Sequence, residues 1–105
     1  MVRVLSSDTF ELPLPPGHRF PARKYGMLRE RVQADGVVVD LEPPAASRAD
    51  LGRVHTDGYL ERVFTGTLGK NEARRIGLPW SPAMLERSRR STGATVVACD
   101  AALAE

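Results

Sequence analysis

Two histidines, one cysteine and several serines are the first side chains to weigh for catalysis or metal binding. His18 lies in a proline-rich stretch and His55 between two helical segments. The sequence holds no His-x-x-His, Asp-x-His or His-His pair, the spacings that would bring metal ligands together locally. Each histidine therefore reads more readily as a packed residue bonding a nearby backbone group than as a functional one. Ser81 and Ser88 lack a Gly-x-Ser-x-Gly setting and read as a helix cap and a helix-surface residue. Gly66 and Gly69 have neither the spacing nor the following Lys-Ser/Thr pair of a phosphate loop. Arg87, Arg89 and Arg90 beside Glu86 read as a solvated helix face, and Arg29, Glu30 and Arg31 as the exposed side of another helix. Cys99, in Thr95-Val96-Val97-Ala98-Cys99, has no partner for an internal disulfide. It reads as a small buried hydrophobe in a reduced, cytoplasmic protein.

The elements that must position these groups fit in one modest core. With 105 residues and 42% hydrophobic content, the chain is expected to form at most one domain, or part of one. Fifteen Lys+Arg stand against 13 Asp+Glu for a net charge of +2. That balance does not suggest a nucleic-acid partner. No apolar run approaches the roughly 18 residues of a membrane span, and the N-terminus lacks the apolar centre of a signal peptide.

Met1 to Leu5 alternates around Val2 and Val4 and predicts a short strand. Ser6 to Arg19 holds Pro13, Pro15, Pro16 and Gly17 and predicts a loop. From Phe20-Pro21 to about Asp35, Tyr25, Leu28 and Val32 recur on one helical stripe that Gly36 would end. Val37-Val38-Val39 predicts a buried strand, and the strand, helix, strand order suggests an α/β unit with a parallel sheet. Ser47 is placed to cap a helix from Arg48 to Val54. Thr56 is placed to cap another that Gly66 ends, and Thr67 or Asn71 a short one up to Ile76.

Gly77-Leu78-Pro79-Trp80-Ser81-Pro82 is a stiff joint opening the final helix. Ser81 can accept from an orphan amide, and Pro82 falls at the first helical position, where a missing N–H costs nothing. Beyond it the helix turns from amphipathic to nearly apolar all round by Thr95 to Leu103. Such a helix needs neighbours on every side, and a chain this short supplies few. Three amphipathic helices, an all-apolar one and two strands make a poor closed domain, so the expectation is a piece of a larger α/β domain.

Three stretches carry a resemblance: His18-Arg19-Phe20-Pro21-Ala22-Arg23-Lys24-Tyr25, the run from Asp50-Leu51 through Arg53-Val54-His55-Thr56-Asp57 to Tyr59-Leu60, and Arg75-Ile76-Gly77-Leu78-Pro79-Trp80-Ser81. In order and approximate spacing they resemble the N-terminal portion of the histone deacetylase superfamily, most closely its bacterial, class IV-like members. The resemblance implies the arginase/deacetylase-like three-layer fold, a parallel sheet flanked by helices, incomplete across residues 1–105. It also implies a zinc-dependent amidohydrolase removing acetyl groups from lysine side chains or related acetylated amines. There zinc serves as Lewis acid and water activator, with histidine as general base. The family's metal-binding and catalytic motifs lie beyond the matched region, so catalytic and metal residues are expected to be absent here.

Two positions carry over. Arg23 matches an arginine lining an internal channel below the active site, where a guanidinium suits a carboxylate such as acetate. Its alternative is a helix-start arginine paired with a carboxylate. Pro79 and Trp80 align with a loop at the substrate entrance, the alternative for Trp80 being a core residue that anchors the last helix. The rival reading for the whole chain is a small non-enzymatic α/β interaction module, with self-association through the exposed apolar helix.

Overall fold

The structure, a computed structural model, describes residues 2–104. Strand β1 (Val4–Leu5) pairs in parallel with β2 (Val39–Asp40), Val4 opposite Val39 and Leu5 opposite Asp40. Helix α1 (Arg23–Ala34) makes the crossover between them. Four helices follow: α2 (Arg48–Leu51), α3 (Asp57–Thr65), α4 (Lys70–Ile76) and α5 (Pro82–Ala104). The chain is thus mixed α/β with a two-stranded parallel sheet.

The end signals explain most helix boundaries. Ser47 accepts from the Asp50 amide, Thr56 from the Tyr59 amide and Ser81 from the Met84 amide, at 3.0, 3.2 and 3.0 Å. Gly36 and Gly66 take left-handed conformations after α1 and α3, at φ +85° and +74°. Helix α4 departs from expectation, because its cap is Gly69 rather than Thr67 or Asn71. Glu72 supplies the missing acceptor by reaching back to the Gly69 amide at 3.2 Å. Helix α2 stops at Leu51 instead of Val54, and the chain continues in turns to His55.

Two other expectations are corrected. Helix α1 starts at Arg23, after a turn in which the Ala22 amide bonds the Phe20 carbonyl at 2.9 Å. Pairing in β2 begins only at Val39, because the Val37 amide still bonds Val32 in the turn that ends α1. Val38, expected in a buried strand, is 86% exposed. The predicted start of β1 at Met1 lies outside the described residues.

Helix α5, about 34 Å long at 1.5 Å per residue, is the spine of the molecule. Its middle carries the Pro43–Ala46 loop. Pro43 and Ala46 are buried, the Ala46 amide bonds the Arg89 carbonyl at 2.8 Å, and a Cβ on Gly93 would overlap the Pro44 carbonyl. Its first turns pack Met84 towards Leu60 and Val63 of α3. The second half has far less cover. Cys99, expected to be buried, is exposed, since the helix has outrun the elements that could enclose it. The stripe on α1 is also largely bare: Tyr25 and Leu28 are 37% and 64% exposed, and no residue of the helix is buried.

The molecule is accordingly flat, with extents of 44 × 36 × 17 Å. Its radius of gyration is 15.2 Å, against about 13 Å for a compact domain of this length.

Candidate functional site

Two of the three stretches that carry the resemblance, the first and the third, are physically tied together. His18 accepts the Phe20 amide at Nδ1 (3.1 Å), which leaves Nε2 to donate to the Gly77 carbonyl, also at 3.1 Å. One imidazole therefore joins the turn before α1 to the joint before α5. Trp80 donates from Nε1 to the Val63 carbonyl at 2.8 Å and lays its ring on Gly66. A Cβ there would come within 2.7 Å of the Trp80 ring, so Gly66 is required by both the left-handed turn and the indole. Trp80 thus anchors the entry of α5 onto α3. Pro79 beside it is exposed.

Arg23 is exposed at the first position of α1 and forms no ion pair among the described residues. It borders one cleft of about 730 Å³ with His18, Phe20 and Lys24, and another of about 360 Å³ with Asp8, Glu11 and Arg87. Neither Pro79 nor Trp80 lines these clefts. The structure therefore does not bring the channel and rim positions into one cavity within this chain.

His18 holds backbone at both ring nitrogens, matching the structural reading of that residue. His55 differs from expectation: it is exposed, lies beside the Tyr59 ring at 5.2 Å between centroids, and its ring makes no hydrogen bond among the described residues. Among the described residues no three His, Cys, Asp or Glu side chains gather to hold a metal ion. The described residues therefore do not fit the zinc that the resemblance implies.

Sequence reasoning missed the arginines. Arg87 is only 9% exposed, donates from Nη1 to the Phe10 carbonyl at 2.9 Å and sits 5.0 Å from the Tyr25 ring centroid. Arg89 donates to the Ala46 carbonyl at 3.1 Å and lies over Phe64. Arg90 bonds the Pro43 carbonyl at 2.9 Å and Glu86 at 2.7 Å, and lies over Phe10. The expected solvated face is instead a row of struts fixing two loops to α5. One signal was available in the sequence. Proline-rich loops cannot pair their own carbonyls regularly, so donors must come from elsewhere.

A second missed group is Asp8. Arg29, expected on an exposed face, donates from Nε to both Asp8 carboxylate oxygens at 2.9 Å, and the Ser6 hydroxyl donates to the same carboxylate. Burial pushes the Asp8 carboxyl up, but the Ser6 and Arg29 bonds more than offset this and hold it below its ordinary value. In the pair tying α3 to α4, the Arg62 guanidinium, aided by the Gly69 amide, draws the Glu72 carboxyl down.

No family model matches the chain. The chain is 36% identical over 103 residues to an uncharacterized protein of the cyanobacterium Picosynechococcus sp.. The match takes in 95% of this chain and 34% of that protein, so the chain spans about a third of the relative's length. Among the described residues, no helix is long and apolar enough to cross a membrane.

Proposed function

We propose that this chain forms the opening strand-helix-strand unit and part of the substrate wall of a cytoplasmic zinc-dependent deacetylase-like amidohydrolase of the arginase/deacetylase type. Its substrates are acetyl-lysine or related acetylated amines. Arg23 faces the channel that takes the released carboxylate, and Pro79 with Trp80 forms the substrate rim. Zinc and the catalytic groups belong to polypeptide outside the described residues. The chain alone is therefore inactive.

The reading is carried by one observation: the first and third resembling stretches are tied directly, His18 to Gly77. Residues 59 apart in sequence are thereby held together. The parallel strand order and a relative about three times as long support the larger-domain part of the reading. Incubation of the chain with zinc and an acetylated lysine peptide is expected to release no acetate. Metal-dependent release by the chain alone sinks the assignment.

A non-enzymatic interaction module is the second reading, favoured by one feature. Among the described residues no buried side-chain nitrogen or oxygen lacks a hydrogen-bond partner. A free-standing module unfolds in one cooperative transition with slowly exchanging amides in α5. A dependent part of a larger domain does not.

A further inference from the structure

Arg87 is the one charged residue among those described that is buried. Charged side chains taken out of water are normally paired. Arg87, however, forms no ion pair among the described residues, and of its nitrogens only Nη1 finds a protein acceptor there, the Phe10 carbonyl. The Tyr25 ring, 5.0 Å away, attracts the guanidinium but does not neutralise it. No buried side-chain nitrogen among the described residues lacks a hydrogen-bond partner, so the unused nitrogens of Arg87 are not sealed in. The space beside them is the cleft of about 360 Å³ that Arg87 lines together with Arg23.

The charges in this cleft do not cancel. Arg23 is exposed and, like Arg87, has no ion pair among the described residues. It opens a helix with no side-chain cap and no acidic residue in the first turn, whose positive end adds to the two guanidinium charges. Asp8 also borders the cleft but is taken by Arg29. Glu11 is exposed and pairs with neither arginine. Two cations against the single free carboxylate of Glu11 leave one net positive charge. That balance suits a monoanion, whereas a phosphate dianion would be repelled by Glu11 and Asp8. The remaining wall is apolar, from Leu12, Pro13 and Ala22, and leaves room for more than a bare carboxylate.

We propose that this cleft is a binding site for a small monocarboxylate with a short aliphatic body. The carboxylate lies between the guanidinium groups of Arg87 and Arg23, whose planar forks match its two oxygens. The aliphatic body rests on Leu12, Pro13 and Ala22. The inference goes beyond the proposed function: it shares Arg23 with that reading, adds Arg87 as the buried anchor, and requires none of the zinc chemistry.

The test titrates the 105-residue chain with sodium butanoate and follows arginine Nε–H and backbone amide NMR signals. Saturable shifts are expected at Arg23, Arg87 and the amides of Glu11, Leu12 and Ala22. Acetate should bind about threefold or more weakly, because it buries less apolar surface, and butanamide, which keeps the body without the charge, should not bind. Arg23→Gln alters an exposed position, so it should leave the unfolding midpoint unchanged and weaken butanoate binding about fivefold or more. Arg87→Lys, which keeps the charge without the fork, should weaken it as much; if that variant does not fold, Arg23→Gln decides. Glu11→Gln should tighten binding with an unchanged midpoint. Equal shifts with butanamide, undiminished binding by Arg23→Gln, or shifts centred on other residues overturn the proposal. A lowered midpoint for Glu11→Gln overturns it as well, by showing that Glu11 is the counter-ion of Arg87 in solution. The titration contains no zinc and reads no turnover, so its failure is distinguishable from failure of the deacetylase reading.

Discussion

Arg87 shows how one side chain can serve two elements. Its guanidinium bonds the Phe10 carbonyl and lies over Tyr25, joining α5 to the first loop and to α1. Arg87→Ala removes the charged donor and the ring contact together. A loss of about 2–3 kcal/mol is expected, read as a lower urea midpoint. Arg87→Lys should restore less than half of it, because an ammonium lacks the flat face that spans both partners. An unchanged midpoint for the alanine variant would mean the strut is dispensable. Asp8 gives a pH-dependent counterpart. Because its folded pKa is depressed, its contribution is fully present above the unfolded value of about 3.9. It is lost as pH falls through the lower folded value. Asp8→Asn should therefore lower stability at pH 7 and flatten its fall below about pH 4. Equal acid sensitivity in both proteins contradicts that role.

At the scale of elements, the legible parts were those fixed by neighbouring residues. Ser47, Thr56 and Ser81 bond amides three residues ahead, and Gly36 and Gly66 supply local left-handed turns. The parallel strand-helix-strand unit was legible for the same reason, from two apolar runs around a helical stripe. What was hidden depends on distant partners. Arg87, Arg89 and Arg90 bond carbonyls 77, 43 and 47 residues away, and no helical pattern can show that. Of the carried-over site positions, the anchoring of Trp80 could be weighed beforehand, whereas its acceptor on Val63 could not. Val38 and Cys99 failed differently, since apolar sequence implied cover that the described chain does not provide. Gly93 tests the loop-on-helix contact. Alanine there gains about 1 kcal/mol of helix propensity but drives its Cβ into the Pro44 carbonyl. The net expectation is a loss of about 2 kcal/mol, visible as a lower melting temperature. A stabilised Gly93→Ala variant would show that the Pro43–Ala46 loop is not seated on α5.

At the scale of the whole molecule, the chain is flat, and Tyr25, Leu28 and Val38 are exposed apolar residues close to the small sheet. Among the described residues every buried side-chain nitrogen and oxygen has a hydrogen-bond partner, so what is left exposed is apolar surface. The proposed function would account for the flat shape by further polypeptide closing over it. The most direct measurement is acetate release from an acetylated lysine peptide by this chain combined with the unmatched part of its relative, with zinc and with a chelator. The account predicts release only when the two polypeptides and zinc are together. Release by the chain alone, or none from a stable zinc-supplied complex, would contradict it.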